Sequence, residues 1–217
     1  MESCLIFILL RAAVVLAQTY ETEDFTVPYM VYLQSSPEPF KIRLGVYQPS
    51  IKNKKEQILS NSLIVPYPQF NAHTLENDLM MIKLSKAAAV NTYVGTIAIA
   101  MEPLTSNDSC FIPTWRWNAY RNQSDPDILT WINQHALTHY ECQYMLNQRV
   151  AVNIMCFGQP LSSISEIMEV SAAPAICGGR LHGILSWSKG SVTLGSEAFF
   201  TAIHPYARWI LKIINSY

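Results

Sequence analysis

Charge is scarce in this chain and is not concentrated anywhere. Of 217 residues only 14% are Asp, Glu, Lys or Arg, the formal net charge is −1, and the two signs are interspersed. There is no basic patch to bind nucleic acid and no charge run to hold a membrane surface. Beyond the first residues no apolar run is long enough to span a bilayer. No Cys-x-x-Cys pair or His-rich spacing offers a metal site, and no motif calls for a cofactor. Internal repeats and low-complexity linkers are also missing. Half of the composition is hydrophobic, which is enough for one large or two small cores and predicts a packed globule rather than disorder.

Residues 1–17, MESCLIFILLRAAVVLA, read as a secretory signal peptide, with an apolar core and a small-residue end at Val15-Leu16-Ala17. Glu2 stands where a basic start is usual and Arg11 interrupts the apolar run; the alternative is an ordinary N-terminal strand or helix. Cys4 leaves with a cleaved leader, and Cys110, Cys142, Cys156 and Cys177 remain. An even count in an oxidising compartment predicts two disulfides, with three possible connectivities. Asn107-Asp108-Ser109 and Asn122-Gln123-Ser124 are glycosylation sequons, meaningful only in a secreted chain.

Short apolar or alternating runs separated by turn residues predict an all-β body. The predicted strands are Thr26–Leu33, Lys41–Tyr47, Leu79–Leu84, Thr96–Met101, Cys110–Ile112, Val150–Cys156, Leu181–Trp187 and Val192–Ile203. In Lys41–Tyr47, Ile42, Leu44 and Val46 alternate with Lys41 and Arg43, which gives one buried face. The end differs. Pro205 sits where a helix can start, and Tyr206, Trp209, Ile210, Ile213 and Ile214 recur at helical spacing, so a terminal helix should lay that stripe on the β-body. Residues 102–109 are the best boundary candidate, dividing the chain into 18–104 and 105–217.

The stretch Glu169-Val170-Ser171-Ala172-Ala173-Pro174-Ala175-Ile176-Cys177, followed by an apolar strand ending in Ser186-Trp187, resembles the nucleophile loop of trypsin-like serine proteases, peptidase family S1. Val27–Leu33 is similar to that family's first barrel strand. Arg43-Leu44-Gly45 and Glu56-Gln57 match the segment after its catalytic histidine. Leu75–Leu84, with Asn77-Asp78-Leu79, matches its catalytic aspartate segment nearly residue for residue. Within the family, Val170–Cys177 most resembles the trypsin-X group, which includes inactive serine protease 58 and is regarded as non-catalytic.

The resemblance implies a chymotrypsin-like pair of six-stranded Greek-key β-barrels with a C-terminal helix. It also implies disulfides Cys142–Cys156 and Cys110–Cys177, which by chain entropy would stabilise by about 3 and about 4.5 kcal/mol. The departures from the family are as informative. The segment that would carry the catalytic histidine is missing: Gln34-Ser35-Ser36-Pro37-Glu38-Pro39-Phe40 joins the two flanking strands directly. With it go the cysteines of a nearby family disulfide and two strands, so the first barrel should lack a hairpin and leave strand edges uncovered. His73, His135, His139, His182 and His204 match no position facing the serine and are expected to be structural or exposed.

Other parts of the machinery are altered independently. Glu169 takes the place of the oxyanion-hole glycine, which puts a carboxylate near the developing negative charge. Val170 replaces the aspartate that pairs with the new N-terminus on zymogen activation, and Gln18–Phe25 contains no activation sequence. Ala172 and Ala173 replace two glycines, and Ile167 and Ser191 replace a bracing cysteine pair. Ser165 replaces the specificity aspartate, while Ser188 and Ala198 replace pocket-wall glycines. Asp78 and Ser171 are the triad positions kept.

Without its base a serine hydroxyl is a poor nucleophile, so the expectation is a secreted, monomeric, non-catalytic serine protease homologue that binds an unidentified protein partner. Two alternatives remain. One is residual endopeptidase activity through Ser171. The other is a shortened splice or gene-model product with no independent role.

Overall fold

The computed structural model describes residues 7–9, 27–34, 41–71, 76–105, 108–115, 129–146, 153–157, 172–187 and 198–217. The first sheet contains β1 (Phe7–Leu9), β2 (Val31–Gln34), β3 (Lys41–Leu44), β4 (Gln57–Pro66) and β5 (Met80–Leu84), in the spatial order β1-β5-β4-β3-β2. All its pairings are antiparallel. The second sheet contains β6 (Ala98–Ile99), β7 (Ser109–Trp115), β8 (Leu129–His135), β9 (Ile154–Phe157), β10 (Pro174–Cys177), β11 (Arg180–Trp187) and β12 (Ala198–Ala202). Its order is β8-β7-β10-β11-β12-β9, with β6 alongside β11. Among the described residues there are also the helices α1 (His139–Leu146) and α2 (Ala207–Ser216); a 3-10 turn, His204–Tyr206, leads into α2.

The second sheet curls until its ends meet. Ala136, next to the end of β8, bridges to Phe157 of β9, and the Leu137 N–H donates to the Cys156 carbonyl at 3.0 Å. Its interior is Ile112, Phe157, Ala173, Ala175, Leu185 and Phe200, with the Phe157 and Phe200 rings edge to face. β11 passes close over this core at Gly183, where a Cβ would stand 2.9 Å from Met155 Sδ and 3.1 Å from Phe200 Cβ. Both expected disulfides are formed. Cys110–Cys177 ties β7 to β10, and Cys142–Cys156 ties α1 to β9.

The first sheet stays open. Its core is Val31, Ile42, Leu44, Leu59, Ile82, Leu84, Ala88 and Val94. β2 and β3 pair with each other, Gln34 opposite Lys41, with six residues joining them, and among the described residues no further strand closes this sheet into a barrel. A larger apolar cluster joins the halves: Val27, Tyr29, Met30, Leu79 and Met81 meet Leu129, Ile176, Leu181, Ile184 and Ile203. Tyr206, Ile210 and Ile213 of the terminal turn and helix press into it, which is the stripe expected from the sequence.

Several elements differ from the sequence reading. Val27–Met30 is a turn, closed by the Met30 N–H on the Val27 carbonyl at 2.9 Å, so β2 starts only at Val31. β4, β8 and β10 were not expected as strands. In β4, the Ser60-Asn61-Ser62 run masks the pattern, and a bulge between Asn61 and Leu63 shifts its pairing with β5. α1 was not expected either. Its start is a reciprocal cap: the Glu141 N–H donates to Thr138 Oγ1 at 3.1 Å, and the Thr138 N–H donates to Glu141 Oε2 at 2.7 Å.

One loop, 45–56, is organised around a buried ion pair. Arg43 Nη2 lies 2.7 Å from Glu56 Oε2, with the two side chains 9% and 2% exposed. The guanidinium also donates to the Pro49 and Ile51 carbonyls, at 2.7 Å each. Asn53 accepts from the Tyr47 and Gln48 N–H groups and donates to Glu56. Burial alone would raise the Glu56 pKa, but hydrogen bonds from Arg43 and Asn53 and the guanidinium charge outweigh it and hold the carboxyl below its usual range.

Removing one partner of such a pair strands a buried charge. Arg43→Ala should therefore cost about 3–5 kcal/mol, while the Arg43→Met/Glu56→Leu double change should cost clearly less. Denaturant midpoints of the two variants check this.

Candidate functional site

The segment between β4 and β5 is held by both halves of the molecule. Asn77 sits in the left-handed region, φ 56°, where Asn is better tolerated than most residues. That turn brings Asp78 to the seam between the sheets. Ser186 Oγ on β11 donates to Asp78 Oδ2 at 2.8 Å, and Thr201 Oγ1 on β12 donates to the Asp78 carbonyl at 3.2 Å. Behind it, Tyr206 Oη donates to Asn77 Oδ1 at 2.7 Å; Asn153 bonds both Tyr206 Oη and Asn77 Oδ1. Asn77 Nδ2 reaches back to the Gln69 carbonyl at 3.0 Å. The second sheet thus holds both the carboxylate and the main-chain carbonyl of Asp78, each through a hydroxyl.

The segment after the serine position is described from Ala172 onward. Ala172 is buried with φ 60°, a left-handed conformation that costs an L-residue about 1–2 kcal/mol. A glycine's backbone shape is kept here although a methyl group has been added. Ala173 follows, buried, and its carbonyl accepts the Leu185 N–H at 2.8 Å. Pro174–Cys177 then pairs with β11 and β7, which fixes the loop's exit beside the strand carrying Ser186.

Other sequence-predicted positions fall in several places. Ser171, Glu169, Val170, Ser165, Ser188, Ile167 and Ser191 lie outside the described residues, as do His73, Asn107 and Asn122. Ala198 opens β12, opposite Phe157. His135 ends β8 opposite Ser109, and His139 starts α1 with its ring 2.8 Å from Gln143 Nε2. His182 is half-buried on β11. Burial lowers its pKa, Asp108 opposes that, and the His204 and Arg180 charges add to it. His204, beside Glu102, is lowered chiefly by burial as well. Among the described residues no cluster of three His, Cys, Asp or Glu side chains could hold a metal ion.

Sequence reasoning missed most of the groups that hold Asp78. Ser186 was visible in the Ser-Trp that ends β11, but its bond to Asp78 spans 108 positions and no local pattern announces it. The same is true of Thr201, Tyr206 and Asn153, which meet the Asn77-Asp78 turn only after the sheets have curled.

This frame, an aspartate bonded by a serine across two curled antiparallel sheets and a Cys-closed loop with a glycine-like turn, has counterparts among known proteins. The family model described as Trypsin matches residues 30–210. The chain belongs to the trypsin family of serine proteases. Trypsin I-P1 of Gallus gallus is 31% identical over 176 residues, covering 81% of this chain and 71% of that protein. Probable inactive serine protease 58 of Bos taurus is 30% identical over 221 residues, covering 89% and 90%. Serine protease 58 of Homo sapiens is 29% identical over 240 residues and spans the full length of both chains. The chymotrypsin-like double barrel with a C-terminal helix, and a first barrel short of a hairpin, is therefore the fold of this protein.

Two outcomes follow from the local chemistry. Ala172→Gly should relieve the left-handed strain and raise the melting temperature by about 2–4 °C, a gain of roughly 1 kcal/mol partly offset in the unfolded chain. His182 and His204 take up protons more readily when unfolded than when folded. Stability should therefore fall as pH drops below the unfolded histidine value of about 6.5, and His182→Gln should flatten that fall in chemical denaturation series.

Proposed function

We propose that this chain is a secreted, non-catalytic member of its family that acts by binding a protein partner. The observation that carries this reading is the β2–β3 hairpin. Gln34 pairs directly with Lys41, and the six residues between them are Ser-Ser-Pro-Glu-Pro-Phe, where the family carries its histidine. Asp78 therefore keeps its serine partner but has no imidazole supplied from that strand pair.

The remaining support is in the sequence. Glu169 at the oxyanion-hole position would oppose the charge that forms on the substrate carbonyl, and Val170 offers no partner to an activating N-terminus. Ser165, Ser188 and Ala198 would leave a pocket without a specificity charge and with narrowed walls. The name of the bovine relative, probable inactive serine protease 58, agrees with this reading. Secretion follows from residues 1–17 read as a leader and from two disulfides, which form and persist in oxidising compartments. Glycans at Asn107 and Asn122 would accompany it. Residues 18–104 and 105–217 are read as the two barrel domains.

A second reading, residual hydrolysis through Ser171, draws on the intact Ser186–Asp78 bond. A fluorophosphonate probe separates the two. The purified chain should show no covalent labelling and no peptidase turnover on Lys, Arg or aromatic ester substrates. Labelling that disappears in Ser171→Ala would establish the second reading instead. Loss of a single triad member still leaves about 10³–10⁴-fold catalysis over water in this family, so the assay must reach that floor.

A further inference from the structure

The sequence offered an N-terminal strand only as the alternative to a leader, and it did not announce where β1 would pair. Its three residues fall within the stretch read as a leader, yet they pair antiparallel with β5: Phe7 with Lys83, Ile8 with Ile82 and Leu9 with Met81. β5 has the burial of an interior strand. Ile82 is fully buried in the first-sheet core, while Met81, also fully buried, points into the cluster shared by the two halves. Its other edge is taken by β4. Removal of residues 1–17 would therefore leave an interior strand with one row of unpaired N–H and C=O groups between two apolar surfaces. Such an edge adds a further strand readily.

We propose that in the mature chain the edge of β5 at Met81–Lys83 is a docking site for an extended apolar strand of another protein, lying antiparallel in the seat that Phe7–Leu9 occupy here. This deepens the protein-binding reading and rests on it. The occupant should be apolar because the segment seated there is Phe-Ile-Leu within an apolar run from Leu5 to Leu10. The nearby cation gives no reason to select an acidic strand, since Lys83 Nζ already donates to the Tyr217 main-chain oxygen at 2.6 Å. A second copy of this chain is a poorer occupant. The outer strand of its first sheet, β2, is four residues long and runs into Pro37 and Pro39, which lack the donors a ladder needs.

The test uses chain 18–217, the full chain 1–217, and a lysine-flanked synthetic peptide of the Leu5–Arg11 sequence. The peptide should bind 18–217 saturably and slow amide exchange at Met81–Lys83. The full chain, with its edge already covered, should bind about tenfold more weakly or worse. Alternate residues of an antiparallel strand donate to a given neighbour. Backbone N-methylation at Ile8 alone, or at Phe7 and Leu9 together, should therefore give opposite results. One pattern should weaken binding by about tenfold or more and the other by less than about threefold, since only one removes donors to β5.

Should 18–217 fail to fold, full chain carrying Ile8→Pro and Leu9→Pro takes its place, because one of two consecutive positions must face β5. Equal tolerance of both methylation patterns, or no protection at β5, would overturn the proposal. So would a leader peptide recovered still bound to the secreted protein, or self-association of 18–217 that the peptide dissolves. None of these readouts depends on hydrolysis. Fluorophosphonate labelling would sink the non-catalytic reading while leaving the edge site standing, and absent peptide binding would do the reverse.

Discussion

The seam between the two sheets is the constraint on which the rest of this molecule depends. Leu79 and Met81 enter it from the first sheet, Ile176, Leu181 and Ile184 from the second, and Tyr206, Ile210 and Ile213 from the terminal turn and helix. Burying a side chain of that size contributes about 1.5–3 kcal/mol. An open first sheet cannot enclose its own core, so much of what orders β5 is this shared burial. Polar groups fix the register that the apolar cluster leaves loose: Ser186 and Thr201 grip Asp78 from one side, and Tyr206 and Asn153 grip Asn77 from the other.

The two halves are held together by different means. The second sheet closes on itself, carries both disulfides, and has a compact interior built around Phe157 and Phe200. The first has neither closure nor cross-link. What it has instead is the Arg43–Glu56 pair, which ties β3 to the loop that follows it and to the start of β4 through two carbonyls and Asn53. Buried ion pairs add little net stability compared with a well-packed apolar replacement, but they specify geometry. Here that geometry is the course of loop 45–56 across the end of an unclosed sheet.

Much of this fold was legible from residues alone, and the illegible part follows a physical rule. The α2 stripe, the one-faced alternation of β3 and the apolar run of β5 are local signals, and each produced its element. The disulfide pairs came from resemblance, since four cysteines leave three connectivities open. β4 was hidden because its central serines and asparagine interrupt the alternation just where a bulge alters the pairing. α1 was hidden although Thr138-x-x-Glu141 is a capping pattern, because its helix has Tyr140 and Tyr144 exposed and no clear apolar stripe. For the site, sequence gave the family positions Asp78 and Ser171 but not the hydroxyls that hold Asp78. Those bonds join residues more than 100 positions apart, and only the closed topology brings them together.

The retention of Asp78 needs no catalytic explanation. Its carboxylate accepts the Ser186 hydroxyl, its carbonyl accepts Thr201, and its neighbour Asn77 carries the left-handed turn that starts β5. Replacing its side chain would take the carboxylate acceptor from the buried Ser186 hydroxyl, a cost independent of any catalytic role. On the non-catalytic reading proposed above, Asp78 would be kept for the seam it ties together rather than for hydrolysis.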